Sequence, residues 1–176
     1  ERALFICRKR IEKRVAAANI QHFYLCSLSA RSLIYKGMFL AQHIDEFYPD
    51  LTDARFAAAV AIFHQRYSTN TFPEWRLAQP FRMLAHNGEI NTLKGNVNWM
   101  KSHEIRMAAD AFGEMGDDVK PVIQQGGSDS AALDNTFEVL VRAGRDAPMT
   151  KALLIPEAWA AKSAEQIKPE HKALYA

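Results

Sequence analysis

Three polar segments of the sequence carry residue types that could bind and cleave a small polar molecule. Arg66 follows an apolar run, and its planar guanidinium could hold a carboxylate with two hydrogen bonds. Asn87 and Gly88 could form an oxyanion hole from a side-chain amide and a backbone N–H, because glycine lets the backbone approach a ligand closely. Asp129 begins a predicted helix, where its carboxylate could be the counter-ion of a substrate ammonium.

Each segment also has a structural interpretation, which the segment taken alone favours. Arg66 can be a surface residue beside a polar loop. An Asn-Gly pair after a strand is commonly a tight turn, since both residues tolerate positive φ. Ser128 fits the N-cap position of a helix whose first turn Asp129 would stabilise. The sequence has neither a P-loop nor a dinucleotide-binding glycine pattern, which argues against a phosphate-binding loop.

Helices and strands that would position these residues alternate along the chain. Capping residues and helix formers predict the helices, and runs of aromatic and aliphatic residues predict the strands. The predicted helices are 1–18, 92–111 with Thr92 as cap, 129–141 with Ser128 as cap and Gly144 as stop, and a helical region from Met149 onward with breaks at Pro156 and Pro169. A short helical turn over 53–58, capped by Thr52, is also predicted. The predicted β-structure is a hairpin of 22–27 and 32–36 and strands over 60–66 and 81–85.

Composition excludes several classes of protein. The 176 residues, 48% hydrophobic and 24% charged, suit one globular domain, and a net charge of only +2 argues against a nucleic-acid partner. The longest strongly apolar run, over 56–63, is far shorter than the ~20 residues that cross a bilayer. Two cysteines cannot form a disulfide framework, which predicts a reducing, cytoplasmic setting, and the six histidines show no metal-ligand spacing. The basic residues of the first helix predict a solvated face: Arg8, Lys9, Arg10, Lys13 and Arg14.

Read together, the polar segments resemble the class II glutamine amidotransferases, enzymes with an N-terminal cysteine nucleophile. The stretches that carry the resemblance are HQRYSTNTFPEWRLAQPFRMLAHNGEINTLKGN over 64–96, GGSDSAALDN over 126–135, LCSLSARSLIYKGM over 25–38 and EFYPDL over 46–51. These stretches are most similar to the corresponding sequences of the members that make glutamate from 2-oxoglutarate. The resemblance covers most of the chain and implies that residues 1–176 are part of a single type-2 amidotransferase domain.

The resemblance implies how glutamine would be bound. Arg66 matches the arginine that binds the α-carboxylate of glutamine, and Asp129 matches the acid that receives its α-ammonium. Thr69 and Asn70 lie in the loop that lines the same pocket, although Asn70 stands where some relatives have histidine. These assignments make chemical sense, because a free amino acid needs one cationic and one anionic anchor.

The resemblance also assigns the catalytic groups, with one departure. Asn87 and Gly88 match the oxyanion-hole pair. The family's nucleophile is a cysteine whose own α-amine is the base. Glu1 opens this sequence, and Cys7 and Cys26 are internal, so we expect the nucleophile upstream and no glutaminase activity from these residues alone.

The family's fold and cofactors are further expectations. The resemblance implies an α/β (α+β) fold, a four-layer αββα sandwich of the N-terminal-nucleophile hydrolase type, incomplete at both ends because only part of the strands is present. It implies L-glutamine as substrate and ammonia passed to a synthase domain of the same full-length chain. FMN and an iron–sulfur cluster, and possibly a small NADPH-oxidising subunit, belong to that remainder; this segment is expected to hold no cofactor and no metal, since two cysteines cannot ligate a cluster.

Two other functions stay open from the sequence. One is an amidotransferase that feeds ammonia to a different acceptor, against which the stretch over 70–75 argues. The other is a non-catalytic amino-acid-binding module that keeps the pocket without the nucleophile. The electron donor of the full-length protein, NADPH or reduced ferredoxin, cannot be predicted from these residues.

Overall fold

Six α-helices form the framework of the residues that the computed structural model describes. These residues are 1–65, 72–88, 90–107, 111–156 and 167–175. The α-helices are α1 Arg2–Ala17, α2 Ile44–Phe47, α3 Lys94–Arg106, α4 Asp129–Arg142, α5 Ala147–Leu154 and α6 Pro169–Tyr175. Short 3₁₀ helices lie at Ala41–His43, Pro49–Thr52, Trp75–Leu77 and Gly113–Val119. None of the helices within these ranges has the length and apolar character that a membrane crossing requires.

The predicted sandwich is wrong for the described structure, because no β-strand occurs in any of its ranges. A strand exists only where its backbone groups pair with a neighbouring strand. The segment over 60–65 forms no such ladder with any described residue, and its large apolar side chains are exposed, Phe63 to 86%. Arg66, the last residue of that predicted strand, lies outside the described residues.

The predicted hairpin and the 81–85 strand are replaced by hydrogen bonds between backbone and side chains. Ile34 N–H donates to Ser27 Oγ at 3.1 Å, and Ser29 Oγ accepts from the backbone of the turn between the two segments. Met83 and Leu84 donate their N–H groups to the Asp134 carboxylate at 2.8 and 3.0 Å. A carboxylate of α4 therefore satisfies backbone groups that a strand would offer to its neighbour.

The helix predictions are confirmed for α1 and α4, and the other predicted helices differ in their bounds or caps. α1 occupies the predicted range, and α4 begins after Ser128, whose Oγ accepts from Ala131 N–H at 3.1 Å. Thr92 is not the cap of α3, which begins after Leu93 and ends at Arg106. The helical turn predicted over 53–58 is reduced to a single hydrogen-bonded turn, in which Phe56 N–H donates to Asp53 O at 2.8 Å. A 3₁₀ helix over Pro49–Thr52 precedes it. Pro169 begins α6 rather than breaking a helix, as suits a residue without a backbone N–H.

The hydrophobic core lies where α1 and α4 meet the segment around the 3₁₀ helix Gly113–Val119. The rings of Phe5 and Phe112 pack with centroids 6.0 Å apart. The buried core residues are Phe5, Ile6, Phe112, Val119, Val122 and Val139. This core holds α4 in place, and α4 carries Asp129 at its first residue.

The basic face of α1 is not fully solvated, so that prediction is wrong for Arg8 and Lys9. Arg8 is 3% exposed and pairs with Glu12 at 2.6 Å and with Glu138 of α4. Lys9 is 6% exposed and donates from Nζ to Pro121 O at 2.6 Å. Burial lowers the pKa of the Lys9 ammonium to about 8. The two cations therefore fasten α1 to the segment before α4 and to α4 itself.

Asp134 is a buried carboxylate whose ionisation opposes folding. Its residue is 1% exposed, and burial raises its pKa to about 6 although the N–H groups of Met83 and Leu84 stabilise the charged form. The folded-state pKa therefore lies above the ordinary value of 3.8, so the folded protein binds more protons than the unfolded chain between these values. Stability then falls as pH rises through that window and stays low above it.

We expect Asp134→Asn to remove this pH dependence, because the amide oxygen still accepts both backbone N–H groups while carrying no charge. The substitution should raise the free energy of opening of α4 by about 1–2 kcal/mol at neutral pH and leave it unchanged near pH 4. Hydrogen-exchange protection of α4 amides in the full-length protein measures this. Asp117→Asn, at a carboxylate whose side chain is 94% exposed, is the matched control. An unaltered pH profile in Asp134→Asn would contradict the prediction.

Candidate functional site

The fold brings two of the three polar segments together. Ile90 N–H, just after the Asn87-Gly88 pair, donates to Asp129 Oδ2 at 2.9 Å. His86 Nε2 lies 2.7 Å from Ser130 Oγ, one residue into α4. The predicted oxyanion segment and the predicted ammonium anchor therefore meet at the N-terminus of α4. The third segment, with Arg66, Thr69 and Asn70, lies outside the described residues.

Asp129 is held by donors from both sides of this junction. Oδ1 accepts Ser130 N–H at 2.7 Å and the Ser130 hydroxyl at 3.3 Å, while Oδ2 accepts Ile90 N–H. Partial burial raises the carboxyl pKa, but the hydrogen bonds from Ile90 and Ser130 outweigh it and hold the pKa below its usual range. Asp129 is therefore an anion at neutral pH.

The contacts of Asp129 leave room for one more donor. An ionised carboxylate has about four acceptor positions, and the three hydrogen bonds from Ile90 and Ser130 occupy three of them. Among the hydrogen bonds of the described residues, the remaining position is on Oδ2. Because the residue is only half-buried, a cationic donor can reach it from solvent. The geometry suits one N–H of a substrate ammonium at that oxygen.

The Asn87-Gly88 pair forms an exposed turn. The Asn87 side-chain amide forms no hydrogen bond with any residue the structure describes. Gly88 N–H donates to His86 Nδ1 at 3.2 Å, near the long end of the usual range. A Cβ at Gly88 would lie 3.7 Å from the same nitrogen, an ordinary contact, so no described atom crowds this side of the turn. As far as the described residues extend, the Asn87 side-chain amide is unoccupied, whereas the Gly88 N–H is engaged by His86.

His86 and Ser130 are not among the residues that the sequence predicts for this site. His86 forms hydrogen bonds with Gly88 and Ser130. The signals in the sequence were weak: a histidine two residues before a glycine, and a serine beside a helix cap. Their meeting depends on a contact over 44 residues of chain, which local spacing does not reveal.

A cavity of about 500 Å³ lies beside this junction, between α3, α4 and α5. Asp129 and Ile90 are among its walls, whereas Asn87 and Gly88 are not among the walls that the structure describes. The other walls are mainly apolar, including Leu93, Val97, Met100, Leu133 and Leu153. Asp129 therefore faces both the polar junction and an apolar space.

The residues present do not fit a metal ion or an iron–sulfur cluster. Across the described ranges, no group of three histidine, cysteine or acidic side chains could hold a metal. Cys7 is exposed on α1 and Cys26 is half-buried, and two thiols are too few for the four ligands that a cluster usually takes.

Comparison with known proteins gives a family match over the whole chain. The model of the class-II glutamine amidotransferases matches residues 1–176. The glutamate synthase [NADPH] large chain of Azospirillum brasilense is 64% identical over 171 residues, which are 97% of this chain and 11% of that protein. The corresponding large chain of Bacillus subtilis is 43% identical over 99% of this chain and 11% of its own length. A ferredoxin-dependent, chloroplastic glutamate synthase of Oryza sativa is 45% identical over 90% of this chain and 10% of its own length. The chain thus spans about a tenth of the relatives it matches.

Proposed function

The chain belongs to the class II glutamine amidotransferases, and from this premise we propose that it binds L-glutamine and takes part in releasing its amide nitrogen as ammonia within a glutamate synthase. The observation that carries the proposal is the junction of the 86–90 segment with the N-terminus of α4. There an ionised carboxylate with one free acceptor position lies beside a turn with an unengaged amide.

Binding requires that the two charged groups of glutamine find opposite charges. Asp129 receives the α-ammonium at the free position of Oδ2. Arg66 binds the α-carboxylate, with Thr69 and Asn70 lining the same pocket; these three assignments rest on the match to the family's sequence pattern. Both charged groups are on the α-carbon, so these contacts fix that end of the amino acid and define the point from which the side-chain carboxamide extends toward the oxyanion donors.

Cleavage requires donors where negative charge develops. Attack of a thiolate on the amide carbon forms a C–S bond and places negative charge on the carbonyl oxygen. The Asn87 side-chain N–H and the Gly88 backbone N–H then stabilise that oxygen. Collapse breaks the C–N bond, the protonated nitrogen leaves as ammonia, and water hydrolyses the thioester to glutamate.

The nucleophile is the group that the described residues do not supply. The family uses a cysteine whose own α-amine is the base. Cys7 lies within α1 and Cys26 follows a half-buried loop, so neither thiol has a free α-amine of its own residue. We therefore assign the nucleophile to a part of the protein outside these 176 residues.

The ammonia is passed to 2-oxoglutarate in a synthase domain of the same polypeptide, and FMN and an iron–sulfur cluster act there. The relatives' names include both NADPH and ferredoxin as electron donors. A small NADPH-oxidising subunit is therefore proposed only as one of two possible partners. We place the protein in the cytoplasm because of its two unpaired cysteines.

The test of this function is glutamine hydrolysis by the full-length protein and by its Asp129→Asn variant. Loss of the ammonium partner should raise KM for glutamine by about 10- to 100-fold, since hydrogen bonds between charged groups are the strong ones. Ammonia release under steady-state conditions measures both KM and kcat. The 176-residue chain alone, assayed in parallel, should release no ammonia.

Asp146→Asn is the matched control, because Asp146 caps α5 and is exposed, with no place in the site. Its KM should equal that of the unaltered protein. An unchanged KM in Asp129→Asn, or an equal rise in the Asp146→Asn control, would contradict the proposed binding role.

A further inference from the structure

A continuous chain of hydrogen bonds connects the oxyanion turn with the ammonium anchor. Gly88 N–H lies 3.2 Å from His86 Nδ1, and His86 Nε2 lies 2.7 Å from Ser130 Oγ. Ser130 Oγ lies 3.3 Å from Asp129 Oδ1. The imidazole therefore contacts one half of the proposed site with each of its nitrogens.

The direction of this chain follows from the donors at its ends. Gly88 N–H can only donate, so His86 Nδ1 must accept and carry no proton. In the neutral ring Nε2 then carries the proton and donates to Ser130 Oγ. The Ser130 hydroxyl in turn donates to Asp129, which can only accept. The tautomer of His86 with its proton on Nε2 therefore satisfies every hydrogen bond of this chain.

We propose that His86 is a positioning residue of the glutaminase site, which orients the Asn87-Gly88 turn through Nδ1 and the Asp129 carboxylate through Nε2 and the Ser130 hydroxyl. The inference rests on the proposed function, since it concerns how the binding and oxyanion groups of that site are held. It adds to that function a residue that touches neither the ammonium nor the oxyanion.

The imidazole is well placed to act in this way because its own position is fixed. His86 N–H donates to Gln79 Oε1 at 2.8 Å, which anchors the backbone of the turn. Ser130 is 6% exposed, so its hydroxyl has little access to water and depends on His86 and Asp129 for partners. Ser130 N–H also holds Asp129 Oδ1 at 2.7 Å.

The contact between His86 and Gly88 is compatible with catalysis. A bond of 3.2 Å to a neutral ring nitrogen is long, whereas a hydrogen bond to a charged oxygen is roughly twice as strong as a neutral one. A developing oxyanion therefore outcompetes His86 Nδ1 for the Gly88 N–H. Before that moment, the ring keeps the amide ordered.

Two substitutions separate the two nitrogens of the ring. In His86→Asn the side-chain oxygen can replace Nδ1 as acceptor for Gly88, but nothing reaches Ser130. In His86→Gln the longer amide can replace the Nε2 donor to Ser130, but the acceptor for Gly88 is lost. We expect His86→Asn to raise KM for glutamine about three- to tenfold with kcat nearly unchanged, and His86→Gln to lower kcat about three- to tenfold with KM nearly unchanged.

Ser130→Ala tests the inference independently of any change at His86. It should raise KM for glutamine as His86→Asn does. The double variant His86→Asn with Ser130→Ala should have a KM no higher than that of either single variant, because both substitutions break the same connection. Hydrolysis of glutamine by the full-length protein is the assay. His43→Gln, at a half-buried histidine outside the site, is the matched control.

A raised KM in His86→Asn together with a lowered kcat in His86→Gln would support the inference. Equal losses in both parameters from both His86 variants would indicate a merely structural role and overturn it, as would unchanged kinetics or an additive double variant. Failure of the proposed function is distinguishable, because it would appear as an unchanged KM in Asp129→Asn whatever the His86 variants do.

Discussion

Asn87→Ala is expected to lower kcat for glutamine hydrolysis by about 10²- to 10³-fold, the usual cost of removing one side-chain donor from an oxyanion hole. KM should change little, because the amide donates to an oxygen whose charge appears only in the transition state. The residue is exposed and its amide forms no hydrogen bond with any described residue, so its removal should not disturb the turn. The assay is steady-state ammonia release by the full-length protein.

Asn98→Ala is the control for this prediction. Asn98 is an exposed residue of α3 and is not among the walls of the neighbouring cavity. Its kinetics should match those of the unaltered protein. If Asn87→Ala left kcat unchanged, or lowered it no more than Asn98→Ala does, Asn87 would not be an oxyanion donor.

The parts of the fold that could be predicted are those that depend on neighbours in sequence. α4 and its Ser128 cap have the predicted positions. They could be predicted because the Ser128 hydroxyl accepts the N–H of Ala131, only three residues later in the sequence. The strands could not be predicted in the same way. A run such as 81–85 has strand propensity, but the N–H groups of Met83 and Leu84 bond to Asp134, about 50 residues away.

The candidate site shows the same division between residues that the sequence indicates and contacts that only the folded chain makes. Asp129 and the Asn87-Gly88 turn are predicted as site residues because their types fit a chemistry that the family pattern implies, and their roles stay predictions. The structure adds the contact between Ile90 and Asp129 that joins them. His86 and Ser130 were not found, because neither residue type by itself indicates a role and only the folded chain brings them to 2.7 Å.

The buried charges of α1 illustrate the limit of periodicity arguments. Five basic residues within seven positions look like a solvated helix face. Arg8 is nevertheless buried, because Glu138 lies opposite it, 130 residues later in the chain. A buried cation needs a partner that the sequence does not identify, so burial of charge is decided by tertiary contacts.

This buried pair gives the largest effect on stability that we expect. Glu138 is 4% exposed, and Glu138→Gln would leave the Arg8 guanidinium buried with only Glu12 as a charged partner. Removing one member of a buried pair costs about 3–5 kcal/mol when the remaining charge is uncompensated, and we expect a loss at the lower end of that range because Glu12 still compensates part of the Arg8 charge. We expect α4 to lose protection accordingly, as measured by amide hydrogen exchange in the full-length protein.

Replacing both partners separates this cause from a simple loss of contacts. In the double variant Arg8→Met with Glu138→Leu no unpaired charge remains between α1 and α4, and Glu12 keeps its contact with Arg82 at 3.2 Å. Most of the lost stability should therefore return. Asp53→Asn, at a surface pair whose Arg55 side chain is 91% exposed, should leave protection unchanged. A double variant as unstable as Glu138→Gln would show that packing of these side chains, rather than desolvated charge, determines the stability of the junction between α1 and α4.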